Sequence, residues 1–401
     1  MRLPRVALVS DLREERWHSM DLIPEMLLLN LRGPEARLVE AVQVRPAMVR
    51  RATRLPLLGA TRTAETTDRI INRVWDDPRW LRPQGGDFDL FHIIDHSYAH
   101  LVTSLPPGRS LVMCHDLDAF QGVLPGSSGG SLVGRALGRR LLEGLMAARK
   151  IVCGSLATRS ELVSCGLVSA ARITVVPNGV HPTCSPWPDP GAEREAAALL
   201  GPVDVTQPEL LHVGSTIPRK RIDALLEVFA LLRERHQNLR LIRVGDTFTH
   251  SQARLVSRLG LHDHVAVLPF VDRRVLAAIY RRAAVLLQPS DREGFGLPVA
   301  EAMACGTPVV ASDIAALREV GGDAVSYCPV GDLDRWMSAV SQLLEERATD
   351  PNRWRARRTE GTAQAKRFNW QEHARRMTDV YRDVLSEISG RPVVIPSAAV
   401  G

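Results

Sequence analysis

Short apolar runs that end in polar residues or glycine recur along the 401-residue chain, and helical patterns separate them. Runs of this length, alternating with helices, are typical of buried parallel strands joined by crossover helices. The pattern therefore predicts an α/β fold with parallel sheets. The predicted strands are 5–12, 37–44, 91–95, 110–116, 150–155, 173–177, 209–215, 239–246, 264–270, 285–290 and 308–313, and the predicted helices are 18–31, 132–149, 157–167, 222–236, 273–283, 297–305, 332–348 and 370–388.

A proline-rich interval divides this alternation into two sets. Residues 182–208 hold six of the 26 prolines, and a chain of this length favours two domains of about 100–200 residues each. We expect two Rossmann-like, doubly wound parallel sheets whose strand ends face a common interdomain cleft. The predicted divisions are an N-terminal domain 1–182 joined by the C-terminal helix 370–388, a linker 183–208, a C-terminal domain 209–369 and a mobile tail 389–401.

Composition and motif content exclude several classes of protein. The chain has no apolar run of the roughly 18 residues that a membrane-spanning helix needs, and we expect no secretory signal. Its six cysteines are scattered without a CxxC pair, which favours a cytoplasmic protein with reduced thiols. No GxGxxG follows the first predicted strand, which argues against an FAD or NAD enzyme with its cofactor at that strand. The sequence also contains no P-loop, HExxH, GxSxG or clustered zinc spacing.

The most informative segment is residues 290–313, SDREGFGLPVAEAMACGTPVVASD. A buried strand enters a turn formed by Gly294, Phe295 and Gly296, and a helix begins near Leu297 with a proline in its first turn. The free amides and dipole of a helix start favour anionic oxygens. Glu293 precedes that start and Glu301 follows eight residues later, so the pair suits sugar hydroxyls on either side of a diphosphate.

A second segment places three cations at another helix start. In HVGSTIPRKRIDALLEVFALL (212–232), Gly214 and Ser215 open a loop that leads to Arg219, Lys220 and Arg221. Cations are disfavoured at a helix N-terminus, so an anion such as a nucleoside diphosphate is expected beside them. Lys220 is one of only three lysines in the chain.

The Glu-x7-Glu segment EGFGLPVAEAMACGTPVV resembles that of the GT-B glycosyltransferases of family GT4, and the resemblance extends from about residue 85 to 385. It implies a retaining transfer of a hexose-type sugar from a UDP- or GDP-sugar, with no cofactor and no obligatory metal. Glu293 would then orient the sugar hydroxyls and Glu301 the ribose hydroxyls. The GxxxPRK pattern implies that Arg219 and Lys220 contact the diphosphate, whereas many relatives carry arginine where this chain has Ser215.

Further strand ends supply candidates in both halves. His115 ends the strand in SLVMCHDLDAF, at a position where the family has an HD segment, and the resemblance implies that it lies near the transferred sugar. In FHIIDHSYAH, Asp95, His96 and His100 are candidates for contact with an acceptor, with a structural histidine cluster as the alternative; we reject a catalytic metal there. Val271, in LPFVD, resembles a position whose backbone meets the nucleobase.

The acceptor is left open by the sequence. Residues 1–180 carry a net charge of +5 and residues 181–401 only +1, and the segment 41–64 has five arginines and no acidic residue. Such a segment suits peripheral contact with the inner face of a membrane and a lipid-linked or saccharide acceptor; a solvated basic loop is the alternative. A nucleic-acid partner is disfavoured by the small charge excess and few aromatic residues. Two rival functions are a nucleotide-sugar epimerase of the same fold and a non-catalytic nucleotide-sugar-binding subunit.

Overall fold

A computed structural model describes residues 2–15, 17–33, 39–55, 61–124 and 131–390. The chain forms two compact units. The first contains the described residues up to Gly179 together with a helix that begins at Trp370, and the second is Val180–Asn369. The structure thus places 183–208, predicted to be a linker, in the second unit, whereas most of the predicted tail (391–401) lies outside the described residues.

The strands form two six-stranded sheets in which every pairing is parallel, so the predicted α/β fold class is confirmed. The eleven predicted strands are all present, and the structure adds a twelfth, Ser326–Cys328, which is too short to leave a clear pattern. The strands are β1 (Arg5–Val9), β2 (Glu40–Val44), β3 (Leu90–Ile93), β4 (Ser110–Cys114), β5 (Lys150–Cys153), β6 (Ile173–Val175), β7 (Glu209–Val213), β8 (Arg240–Val244), β9 (Val265–Leu268), β10 (Val285–Gln288), β11 (Val309–Ser312) and β12 (Ser326–Cys328).

Helices connect these strands. The helices are α1 (His18–Leu31), α2 (Arg62–Ile71), α3 (Asp77–Leu81), α4 (Leu132–Ala147), α5 (Leu156–Ser164), α6 (Pro190–Leu200), α7 (Ile222–Arg235), α8 (His250–Arg258), α9 (Arg273–Arg282), α10 (Leu297–Ala304), α11 (Ala315–Gly321), α12 (Leu333–Thr349), α13 (Pro351–Ala365) and α14 (Trp370–Ser389). None of the helices in the described part of the chain is both long and apolar enough to cross a membrane.

Strand order fixes where each sheet opens. The first sheet runs β2-β1-β3-β4-β5-β6 and the second β12-β11-β10-β7-β8-β9. The chain order therefore reverses between β1 and β3 in the first sheet and between β7 and β10 in the second. At such a switch point the loops after the two strands diverge to opposite faces and leave a crevice at the carboxyl ends.

The core of each unit lies against its own sheet, and α6 shows why the interval before β7 is not a free linker. Ala192, Ala196 and Leu200 are buried in the core of the second unit, on one face of α6. Asp189 caps that helix by accepting hydrogen bonds from the Gly191 and Ala192 amides. The prolines of this interval thus flank a helix that packs against the second domain.

Candidate functional site

The switch point of the second sheet brings together the two segments singled out in the second half. The loop after β7 begins at Gly214 and continues into a short 3-10 helix, Pro218–Lys220. The turn after β10 contains Ser290 and Glu293 and leads into α10. The Asp291 amide donates to the carbonyl of Arg219 at 2.8 Å, so the backbones of the two segments are joined directly.

Glu293 is the centre of this cluster. Its Oε1 accepts hydrogen bonds from Lys220 Nζ at 2.6 Å, Gln288 Nε2 at 2.6 Å and Ser290 Oγ at 2.7 Å. Its Oε2 accepts from Arg219 Nη1 at 3.1 Å. Only 6% of the Glu293 side chain is exposed. Four donors thus converge on one buried carboxylate, which orients both predicted diphosphate ligands.

The electrostatics of the cluster favour an added anion. Burial of Glu293 would raise its pKa, but the charges of Lys220 and Arg219 and the bonds from Lys220 and Ser290 outweigh burial and lower the pKa to about 2. Glu293 is therefore ionised throughout the neutral range. Two cations face this single carboxylate, and an ammonium has three donors, of which Glu293 takes one.

Arg221, the third predicted cation, is directed elsewhere. It has φ 49° and ψ 50°, and among the described residues no other residue except glycine has a positive φ. Its guanidinium donates to Asp223 at 3.0 Å and to Asp291 at 3.1 Å. Arg221 thus precedes α7 and pairs with two aspartates, so of the basic trio only Arg219 and Lys220 contact Glu293.

The start of α10 depends on glycine. Gly296 precedes the helix with φ 99°, and a β-carbon there would lie 2.5 Å from Leu317 Cδ2. Because Pro298 has no N–H and the Val299 amide donates to the Gly296 carbonyl, an anion at this helix start would meet amides before residue 298. The Phe295 ring is buried edge-to-face against Phe368, 5.4 Å between centroids, so its contribution to a ligand site is its backbone.

Leu297 and Val271 are half-buried hydrophobic residues packed on the same core. Val271 follows β9, whose last residue, Leu268, accepts a hydrogen bond from the Gly245 amide at 2.9 Å. The predicted nucleobase segment thus follows a strand of the same sheet edge.

Glu301 lies one turn into α10, and its partner is Tyr280 of α9, whose hydroxyl donates to Oε2 at 2.9 Å. Burial raises the pKa of Glu301 to about 7, although the Tyr280 bond and the charge of Arg273 act in the opposite direction. The two glutamates of the motif therefore differ: Glu293 is ionised at neutral pH, whereas Glu301 changes charge near neutral pH.

His115 lies in the first unit, after β4. Its Nε2 donates to the Ile94 carbonyl at 2.8 Å, which leaves Nδ1 as the acceptor of a neutral ring. Burial lowers its pKa, with a further contribution from neighbouring His96. The structure thus provides one uncharged imidazole at a strand end, and it belongs to a different unit from Lys220 and Glu293.

His96 and His100 have different environments. Burial lowers the pKa of His96, but its bond to Asp116 and the nearby carboxylates outweigh burial and raise it. His96 lies 3.4 Å from Asp95 and 3.5 Å from Asp116. His100 instead is bonded through Nε2 to the Arg73 carbonyl at 2.6 Å, and burial lowers its pKa to about 4. His96 therefore belongs to the polar strand ends and His100 to the core.

The structure adds residues that the sequence analysis missed. Asp11 follows β1 at the first switch point; it is buried, its Oδ1 has no partner among the described residues, and burial with the charge of Asp95 raises its pKa to about 7. The position of Asp11 directly after the first predicted strand is the sequence signal that could have identified it as a candidate site residue. Gln288, Tyr280, His212 and Arg243 gave no such signal, because each stands within an apolar stretch of the sequence that is typical of a buried strand or helix.

The basic segment 41–64 carries fewer unpaired charges than its sequence indicates. Arg51 makes a bidentate bond to Asp76 at 2.6 and 2.8 Å, Arg45 lies 2.6 Å from Asp21 and Arg50 lies 4.0 Å from Glu14. Residues 56–60 lie outside the described part of the chain.

Comparison with known families matches both halves of the chain. Residues 32–183 match the family described as Glycosyltransferase Family 4, and residues 201–360 match Glycosyl transferases group 1.

Individual relatives agree with these matches. The chain is 33% identical to a D-inositol 3-phosphate glycosyltransferase of Kineococcus radiotolerans over 63% of this chain and 61% of that protein. It is 31% identical to O-antigen chain mannosyltransferase B of Escherichia coli over 62% and 64%. The matched part thus spans less than two thirds of either relative.

Solved structures share the fold over nearly the full length. The sucrose-phosphate synthase of Thermosynechococcus elongatus superimposes with a TM-score of 0.71 and 21% identity, covering 96% of this chain and all of that chain. Anabaena HepE, solved in complex with UDP-glucose, superimposes with a TM-score of 0.68 and 15% identity, covering 95% and 100%.

Proposed function

Because the chain belongs to the GT-B glycosyltransferases of the family 4 type, we propose that it transfers a hexose-type sugar from a UDP- or GDP-sugar to an acceptor hydroxyl, with retention of anomeric configuration. The observation that carries this proposal is the cluster at the β7/β10 switch point. There Lys220 and Arg219 are held by one buried carboxylate and retain a net positive charge. A diphosphate is an anion of the size and charge that such a pair binds.

The proposed chemistry is an electrostatic one. The bond between the sugar C1 and the β-phosphate oxygen breaks as the acceptor oxygen bonds to C1 on the same face. The acceptor proton passes to the departing diphosphate. Lys220, Arg219 and the amides before α10 stabilise the charge that develops on that diphosphate, and no cofactor or metal is required by this scheme.

Other residues orient the reactants in this proposal. Glu293 fixes the two cations through Oε1 and Oε2, and Oε2, with the fewer described donors, retains acceptor capacity for a sugar hydroxyl. Glu301 accepts hydrogen bonds from the ribose hydroxyls. The neutral His115 accepts a hydrogen bond from a hydroxyl of the transferred sugar through Nδ1.

The acceptor we propose is a hydroxyl of a saccharide or a lipid-linked glycan. The names of the relatives, an inositol-phosphate glycosyltransferase and an O-antigen mannosyltransferase, support this class. Peripheral contact with a membrane through 41–64 has weaker support, since Arg45, Arg50 and Arg51 all face carboxylates.

Release of UDP and GDP from a panel of nucleotide sugars, with and without simple glycosides as acceptors, tests the proposal. We expect acceptor-dependent release with one donor base, and loss of release in Lys220→Met. Interconversion of the donor sugar without nucleotide release would favour an epimerase. Tight nucleotide binding with no turnover of any donor would favour a binding subunit.

A further inference from the structure

Arg243 is a buried arginine near the carboxyl end of β8, which lies between β7 and the edge strand β9 of the second sheet. It lies on β8 with no exposed surface, and it forms no ion pair with a described carboxylate. Its guanidinium donates instead to the carbonyls of Asp246 and, at 3.0 Å, of Gly214, while Nε has no acceptor. A buried guanidinium that bonds no carboxylate is costly. Burial lowers its pKa to about 10, although the charge of Asp246 acts in the opposite direction, so it remains a cation at neutral pH.

The bond to Gly214 fixes a peptide group at the switch point. The Gly214 amide donates to the Val244 carbonyl at 3.0 Å. Its own carbonyl lies so close to Gly245 that a β-carbon on Gly245 would be 2.1 Å from the oxygen. In a trans peptide the C=O and the following N–H point in opposite directions. By holding the Gly214 carbonyl, Arg243 therefore directs the Ser215 N–H to the side opposite to the guanidinium.

The same cation lies next to the candidate diphosphate ligands. His212 of β7 pairs in register with Arg243 of β8. A β-carbon on Gly214 would lie 3.5 Å from His212 Cε1 and 3.7 Å from Lys220 Cε, so the imidazole and the lysine side chain both lie beside Gly214. Burial and the charges of Arg243 and Lys220 lower the pKa of His212 to about 3, so this ring adds no charge.

This strand edge thus contains three cations: Arg219 and Lys220, which bond Glu293, and Arg243, whose charge acts on His212 together with that of Lys220 and is partly offset by Asp246. We infer that Arg243 is a positioning residue for the donor diphosphate: it aims the Ser215 amide at the phosphate and supplies a fixed positive charge beneath it. This inference rests on the proposed function, because it presupposes a nucleoside diphosphate at the β7/β10 switch point. Backbone amides and fixed charges arranged before the ligand arrives are an efficient way to stabilise an anion.

Binding by the full-length protein, measured by calorimetry with UDP and GDP and with uridine and guanosine, tests the inference. In Arg243→Gln, a neutral residue that can still donate to a carbonyl, we expect diphosphate affinity to fall roughly tenfold or more, because a charged hydrogen-bond partner is lost. Nucleoside affinity should change less than about twofold, since nucleosides carry no phosphate. Arg240→Gln is the matched control, because Arg240 is a cation on the same strand that bonds a carbonyl at the opposite end.

The outcomes separate the inference from the function on which it rests. A wild-type protein that binds neither diphosphate more tightly than its nucleoside would overturn the proposed function. A wild-type preference that persists unchanged in Arg243→Gln would overturn the inference alone, and so would an equal loss of nucleoside and diphosphate affinity. If Arg243→Gln does not fold, Arg243→Lys is measured instead. Lysine keeps the positive charge but lacks the planar fork whose two nitrogens reach the Asp246 and Gly214 carbonyls. A selective loss of diphosphate affinity is therefore again expected, and its absence again overturns the inference.

Discussion

Lys220 Nζ lies 2.6 Å from Glu293 Oε1, and this contact joins the loop after β7 to the turn after β10. The two residues are 73 positions apart in sequence, and both side chains are almost entirely buried. A buried carboxylate with two cations is ionised before any ligand arrives, so the cations are already oriented when an anion binds. Stability and ligand binding are therefore linked at this pair.

Lys220→Met should destabilise the second unit. It leaves the Glu293 carboxylate buried with Arg219 as its remaining cation, and loss of one partner of a buried pair costs about 3–5 kcal/mol. Because Arg219 persists, we expect about 2–3 kcal/mol in urea unfolding. The pair Lys220→Met with Glu293→Gln should recover much of this loss while nucleoside diphosphate binding stays absent. A double variant as unstable as the single one would contradict the view that an unpaired carboxylate causes the loss.

Lowering the pH should remove the same stabilisation. The pKa of Glu293 is about 2 in the folded protein against an ordinary value of 4.5. A lowered pKa stabilises the folded state above the ordinary value, and this contribution is lost as the pH falls from about 4.5 towards 2. The free energy of unfolding of Glu293→Gln, measured in urea across this range, should fall less steeply than that of the wild type. Parallel curves would contradict this assignment.

Nucleoside affinity should depend on pH through Glu301. Its pKa of about 7 means that it is mostly protonated below neutral pH and an acceptor above it. If the carboxylate accepts hydrogen bonds from the ribose hydroxyls, uridine or guanosine should bind several-fold more tightly near pH 8 than near pH 6. A nucleoside is used because it has no phosphate group that would change its own charge in this pH range. The Glu301→Gln variant should bind the nucleoside with the same affinity at both pH values. A wild-type affinity that does not change with pH would remove Glu301 from the ribose contact.

Much of the fold could be predicted from the sequence, because parallel strands covered by helices on both faces have short, continuous apolar runs. β7 and β10 are buried throughout and were predicted to within a few residues. β12 was not predicted, because a strand of three residues, two of them half-buried, is too short to show an apolar run. α6 lies within the interval predicted to be a linker, because its prolines are as typical of a loop as of the residues on either side of a packed helix.

The candidate site was only partly legible for a different reason. Glu293, Glu301, Arg219 and Lys220 stand in segments that contain their own signal of glycine, proline and charge. Which of these residues contact each other depends on the fold, so the Glu293–Lys220 contact could not be predicted from either segment alone. Arg243 looks like an ordinary interruption of an apolar strand, because its partners, the carbonyls of Gly214 and Asp246, are backbone groups that leave no trace in the residue pattern.

His115→Gln should lower the rate of sugar transfer without weakening nucleotide binding. The glutamine amide can still donate to the Ile94 carbonyl, as Nε2 does now, but the acceptor at Nδ1 is lost. Loss of one positioned hydrogen bond in a transition state corresponds to roughly 10–100-fold in rate. Affinity for UDP or GDP should stay within about twofold, because the candidate phosphate ligands belong to the second unit. A fully active variant would exclude His115 from the site.

Gly245→Ala should disrupt the loop that Arg243 holds. Its backbone has φ 139°, and the new β-carbon would lie 2.1 Å from the Gly214 oxygen, so the Gly214 peptide must move. We expect a loss of about 3 kcal/mol or more in urea unfolding, together with weaker binding of UDP and GDP.

Gly260→Ala is the matched control: Gly260 lies in the same unit with φ 64°, but a β-carbon there meets nothing within 4 Å. It should cost only the backbone strain of about 1 kcal/mol and leave binding unchanged. Equal effects of the two substitutions would mean that the Gly214 peptide can shift freely, and that its present orientation has no part in binding the diphosphate.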